Sequence, residues 1–168
     1  MLHGIAIKTG NCQHPNDIEI IKNVEASPDQ VWRAWTVPDL FVQWFAPVPY
    51  RMEKATIDPV PGGEYSFVMI SPSGHVYEER PGCVLIAEFR QRLVWTDALG
   101  PMFRPNSQTF ITIDLTLQPS ATGTICCVAA RHKCSNDRLF HEQMGFKKSW
   151  SMVLDQMETT LKSDRLVN

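Results

Sequence analysis

Three side chains in this 168-residue chain have the types and spacing to move a proton: Tyr77, Glu79 and Asp97. Side chains alternate across a strand, so Tyr77 and Glu79 share one face, as do Trp95 and Asp97. Turned toward an enclosed apolar space, these carboxylates and the phenol would act as hydrogen-bond partners or as an acid/base pair. Burial there would raise a carboxylate pKa toward the range useful for general-acid work. Their spacing specifies no reaction, however. The plainer reading puts Glu78, Glu79 and Asp97 on the wet face or at strand ends.

Other chemistries lack their residues. The histidines (His3, His14, His75, His132 and His141) form no i, i+4 pair and lie near no carboxylate cluster, so no metal centre is expected. His132, between Arg131 and Lys133 at the end of a strand, reads as exposed. There is no GxSxG elbow, and Cys83, Cys126 and Cys127 fall in strand-like apolar surroundings. The five cysteines, which also include Cys12 and Cys134, are odd in number and contain no CxxC pair, which argues against a disulfide framework. Cys126 and Cys127 point to opposite faces and cannot share a metal. They read as small core hydrophobes in a reducing cytoplasm. No GxGxxG or P-loop motif occurs, so no nucleotide is indicated, and no cofactor is expected.

The formal charge of −2 comes without any run of Lys or Arg, leaving no electrostatic footprint for nucleic acid or an anionic membrane. No apolar stretch is long enough to enter and span a bilayer. Residues 1–16 lack a long apolar run followed by a small-residue cleavage site, so a cytoplasmic location is expected. Hydrophobic residues at 43% and charged residues at 20% describe a chain that buries a core, and its length suits one domain.

The elements that must position these residues follow from periodicity. Ile18 to Glu25 alternates as a strand, with Ile18, Ile20 and Val24 on one face. Ser27-Pro28-Asp29 starts a helix with apolar Val31, Trp32 and Trp35, and Pro38-Asp39 opens a second short one. Strands are expected over Arg51–Asp58, Glu64–Ile70, His75–Phe89 with a bend at Pro81-Gly82, and Arg92–Asp97. Thr109–Gln118 alternates most cleanly, with Ile111, Ile113, Leu115 and Leu117 in and Phe110, Thr112, Asp114 and Thr116 out. Ser120 to Gly123 turns it back into Thr124–His132. Hairpin-linked strands predict an antiparallel meander. Ser135-Asn136-Asp137 caps a final long helix, with Leu139, Phe140, Met144, Trp150, Val153, Leu154, Met157 and Leu161 at helical spacing and Gly145 as an interruption. The organisation is thus a 1–16 extension, one domain over 17–163 and a 164–168 tail.

Three ordered blocks resemble one family. They are Glu25-Ala26-Ser27-Pro28-Asp29-Gln30-Val31-Trp32-Arg33-Ala34-Trp35 with Trp44-Phe45; Pro61-Gly62-Gly63-Glu64-Tyr65-Ser66-Phe67-Val68-Met69 with Gly74, Tyr77, Gly82 and Arg92 to Thr96; and His141 to Phe146 with Trp150, Leu154 and Leu161. Together they are similar to the domain named after the activator of the heat-shock-protein-ninety ATPase, within the START and pollen-allergen superfamily. The resemblance implies an α+β helix-grip fold. A curved antiparallel sheet of about six to seven strands wraps a long C-terminal helix, with two short helices after the first strand. Two departures are Ser149, where Gly usually precedes the Trp, and Asp97, where a second aromatic is common.

The resemblance further implies a cavity for an apolar molecule, lipid- or polyketide-like, between sheet and helix. Its expected lining is Trp44, Phe45, Tyr65, Phe67, Met69, Tyr77, Trp95, Ile111, Ile113, Trp150, Val153 and Met157. Each of these is also a reasonable member of a packed core. Two alternatives stay open: a cyclase, dehydratase or hydrolase using Glu79, Asp97 or Tyr77 in the same cavity, and a chaperone-interacting domain, for which no exposed patch is legible. Homodimerisation through an edge strand or the leader is also left open. If the final helix is gripped, truncating Trp150 to Ala is expected to cost about 3–5 kcal/mol.

Overall fold

The computed structural model describes residues 14–78 and 80–167. The expectations placed on Glu79, on Cys12 and on most of the leader fall outside them. In chain order the protein runs β1 (Asp17–Val24), α1 (Pro28–Thr36), α2 (Pro38–Phe41), β2 (Arg51–Ile57), β3 (Glu64–Ile70), β4 (Val76–Glu78), β5 (Gly82–Glu88) and β6 (Arg92–Thr96). A small hairpin of β7 (Leu99–Gly100) and β8 (Arg104–Pro105) follows, then β9 (Thr112–Ser120), β10 (Gly123–Arg131), α3 (Ser135–Gln143) and α4 (Phe146–Val167). The helix α4 therefore carries on through 164–167, read from sequence as a tail.

The main sheet is antiparallel throughout, in the order β1-β10-β9-β6-β5-β3-β2, with β4 added to β3. Register shifts in β2 between Met52 and Lys54, and in β5 between Val84 and Ile86, mark bulges. An extra residue on one strand bends it and increases its twist, so two bulges near one end help the sheet curl. The bend expected at Pro81-Gly82 separates β4 from β5, and a Cβ on Gly82 would stand 2.7 Å from the Thr96 carbonyl oxygen. Only glycine lets β5 approach β6 so closely there.

Ser27 caps α1 as its type suggests, and Gln30 answers it, its side chain accepting from the Ser27 backbone N–H in a full capping box. Trp35, fully buried, then sits at the hub of an aromatic cluster. Its ring centroid lies 4.7 Å from Trp44, 5.9 Å from Trp95 and 6.0 Å from Trp150. The hub thus joins the two short helices, the sheet and α4. Gln156 on α4 adds a polar clasp. Its Nε2 donates to the carbonyls of Trp44 and Ala46, both at 2.7 Å, while its Oε1 accepts from the Val48 N–H at 3.1 Å.

The interruption expected at Gly145 divides the final helix in two, because Gly145 adopts φ +85° after α3, a left-handed conformation that ends a helix. Three expectations need correcting. The cap shifts by one residue, with Cys134 as N-cap and no side-chain hydrogen bond, and Ser135 already helical. Leu139, Phe140 and Met144 do not join the core stripe. They lie on α3 and its C-cap, before the break, and stand outward: Phe140 is 58% and Met144 63% exposed. Finally, Asp114 is buried rather than wet: Arg92 holds both its oxygens, at 2.9 and 2.8 Å, and Arg131 adds a third contact at 2.9 Å. Burial alone would raise its pKa. The two guanidinium groups outweigh burial and leave the carboxyl below its usual value.

Candidate functional site

A cavity of about 560 Å³ lies between the curled sheet and the helices α3 and α4. Alternation along β3 sends Tyr65, Phe67 and Met69 to its wall, while β6 contributes Trp95 and the strand-entry segment before β9 contributes Ile111. Ile113 on β9, Trp150 and Val153 on α4, and Phe45 after α2 complete the apolar lining expected from sequence. Three expected residues lie elsewhere. Trp44 is in the solid core, its Nε1 donating to the Ala34 carbonyl at 3.1 Å. Met157 is fully buried against the core, one turn beyond Val153. Tyr77 is exposed on the short β4, with its ring against His75 at 4.5 Å.

Of the acid/base candidates, the two described residues, Tyr77 and Asp97, are not brought together. Asp97 borders the cavity, but its carboxylate is engaged with its own chain. It accepts from the backbone N–H groups of Phe110 and Ile111, at 2.8 and 3.1 Å, and from the Thr109 hydroxyl at 3.1 Å. This carboxylate turns the chain into β9. Thr96 is similarly occupied, sharing a 2.8 Å hydrogen bond with Thr112 and accepting from the Ala98 N–H. Arg80, at the rim, donates to the Ser107 hydroxyl at 3.0 Å.

Several wall residues were not anticipated as such. Phe110 was placed on the outer face, yet it lines the cavity, because Asp97 draws the backbone out of strand geometry just before β9 begins. Phe140, His141, Met144 and Phe146 come from the α3–α4 corner, and Ser149 from the first turns of α4. The His141–Phe146 run was visible as a sequence block. That it forms a cavity wall depends on the turn at Gly145.

His132 is a further correction. It is buried, at 6% exposure, because α3 folds over the end of β10. Its Nδ1 stands 3.0 Å from the Asn16 carbonyl oxygen and its Nε2 2.8 Å from Nδ1 of His141. Phe110 covers both rings, with centroid distances of 5.5 and 5.0 Å. Burial, and then the neighbouring His132, push the His141 pKa down to about 4. Among the described cysteines Cys83 and Cys126 are buried, and burial raises Cys126 to about 12, which leaves it inert as a nucleophile. Among the described residues no group of three or more His, Cys, Asp or Glu side chains could hold a metal ion. No helix among them is long and apolar enough to cross a membrane.

Comparison with known proteins agrees with this architecture. A crystal structure of a Nitrosomonas europaea protein superposes with a TM-score of 0.87 at 33% identity, covering 90% of this chain and 97% of that one. A Rhodobacter sphaeroides protein matches at TM-score 0.78 and 21% identity, over 89% of this chain and 94% of its own. The solution structure of an AHSA1-like protein from Aeromonas hydrophila matches at 0.69 and 22%, again over 89% and 94%. At those two lower identities the likeness speaks to the fold alone. No curated protein matches the sequence significantly. The family model described as "Activator of Hsp90 ATPase homolog 1-like protein" matches residues 25–162, nearly the whole folded chain, and this protein belongs to that family.

Proposed function

We propose that the protein binds an apolar small molecule in the cavity between the sheet and the α3–α4 corner. The observation that carries this reading is the composition of the walls around so large a space. Fourteen aromatic or otherwise apolar side chains from β3, β6, β9, α3, α4 and their connections converge on about 560 Å³ that they leave unfilled. Ligand pockets commonly measure roughly 300–1,000 Å³, with an apolar lining and few polar groups. A core alone would close such a space, because each lost contact costs dispersion energy. The exposed Phe140 and Met144 border the same cavity and give its mouth an apolar lip. Catalysis by Tyr77 and Asp97 has less support, with the phenol outside the cavity and the carboxylate occupied by backbone donors.

Titration with the neutral fluorophore N-phenyl-1-naphthylamine tests the reading. Emission is expected to rise, shift to the blue and saturate at one equivalent. Ser149→Trp, which places an indole in the cavity, is expected to abolish the signal while the circular dichroism spectrum is kept. Absence of uptake by the folded wild-type protein would sink the proposal.

A further inference from the structure

The His132–His141 pair fixes which polar atom the cavity offers. A carbonyl oxygen only accepts, so the contact with Asn16 requires that His132 Nδ1 carry the proton. With His132 neutral, its Nε2 is then a bare acceptor, and the 2.8 Å partner, His141 Nδ1, must be the donor. A neutral His141 protonated on Nδ1 has its lone pair on Nε2, the nitrogen on the far edge of the ring. No hydrogen bond among the described residues uses that atom, and His141 is part of the cavity lining.

Of the rest of the polar lining, the Thr96 hydroxyl and the Asp97 carboxylate hold protein partners, and the Arg80 guanidinium gives one N–H to Ser107. The Ser149 hydroxyl, on α4, is the other lining group without a side-chain hydrogen bond among the described residues, and it both donates and accepts, whereas His141 Nε2 only accepts. We infer that His141 Nε2 is the polar anchor of the cavity, an acceptor aligned by His132 and Asn16 for the hydroxyl of an otherwise apolar ligand. This inference rests on the binding reading above and adds the chemical class: a phenol-like or alcohol-bearing hydrophobe rather than a pure hydrocarbon. His132 is a positioning residue, since its fixed tautomer decides that of His141.

The pair 2-naphthol and 2-methoxynaphthalene separates the two claims, because they share a ring system and differ in the donor. At about pH 8, where histidine is ordinarily neutral, calorimetry on the wild-type protein is expected to show 2-naphthol binding about tenfold tighter, the size of one net hydrogen bond. His141→Phe is expected to remove that preference while still binding the ether. Nitrogen-15 NMR of the wild-type imidazoles keeps the test independent of whether the variant folds. His141 should show an unprotonated Nε2 whose resonance moves with 2-naphthol and stays put with the ether.

Equal affinities with an unmoved Nε2 resonance would overturn the anchor and leave the cavity reading standing. A preference that survives His141→Phe, or a resting His141 protonated on Nε2, would also overturn it. Failure of both probes to bind would overturn the cavity reading and the anchor with it.

Discussion

At the residue scale, the histidine pair should govern part of the acid response. The unfolded chain protonates His141 near its ordinary value of 6.5, whereas the folded protein resists until about pH 4. Above the unfolded value both states are neutral and the residue contributes no pH dependence. As pH falls from about 6.5 toward about 4, the unfolded state takes up a proton that the folded state does not, so stability declines. Urea midpoints measured across that window should fall in the wild-type protein and fall less steeply in His141→Gln, which retains an N–H donor for His132. Asp114 acts in a lower window. Its folded pKa lies below 3.8, so its stabilisation is present above that value and is lost as pH drops through the folded one. At neutral pH, Asp114→Ala deprives Arg92 and Arg131 of their shared carboxylate and is expected to cost about 1–3 kcal/mol in denaturant titrations. A cost near zero would mean the two half-exposed guanidinium groups lose nothing by returning to water.

At the element scale, two positions decide how the C-terminal helices sit. A Cβ on Gly145 would meet no neighbour within 4 Å, so Gly145→Ala isolates the cost of a left-handed backbone. That cost is expected to be about 1–2 kcal/mol. The same substitution should also favour a continuous α3–α4 helix, which would pull His141 and Phe146 off the cavity wall and weaken probe binding. Gln156 has the opposite character: it is a side chain doing the work of backbone pairing. Gln156→Ala leaves the Val48 N–H and the Trp44 and Ala46 carbonyls without that partner, an expected loss of about 1–3 kcal/mol by thermal or urea unfolding. Retained stability would show that water satisfies the 44–48 segment equally well.

At the scale of the whole molecule, the cavity changes which tryptophan matters most. Trp150 stacks on Trp35 and meets Phe45 and Phe146 at 5.4 and 5.2 Å, but it also borders open volume. A ring with contacts on only part of its surface loses less when truncated, so Trp150→Ala should cost about 1–3 kcal/mol, below the expectation for a fully gripped core residue. Trp35, enclosed on all sides, should instead cost about 3–5 kcal/mol on truncation to Ala. Equal losses in the two variants would indicate that the cavity collapses around Trp150 on mutation.

What was legible in the sequence was what local periodicity encodes. Glu64–Ile70 alternates, Ser27-Pro28-Asp29 caps, and the α4 stripe of Val153, Leu154, Met157 and Leu161 repeats at helical spacing, so strands, helices and the antiparallel order could be read directly. Alternation likewise assigns Tyr65, Phe67, Met69, Trp95, Ile111 and Ile113 to one face of their expected strands, whereas the expectation of a cavity, with Phe45, Trp150 and Val153 in its lining, came from the family resemblance. Periodicity cannot say how far that face lies from the next element, so it could not separate the cavity wall from the solid core that holds Trp44 and Met157. Nor could it see contacts between residues far apart in sequence or outside a repeat. Asp97 turns Phe110 inward by binding backbone across a loop, α3 folds over the end of β10 and buries His132 against His141, and Gly145 ends α3 and redirects the chain into α4. Those arrangements depend on where the sheet, once curled, leaves room for the helices, and only the tertiary structure decided them.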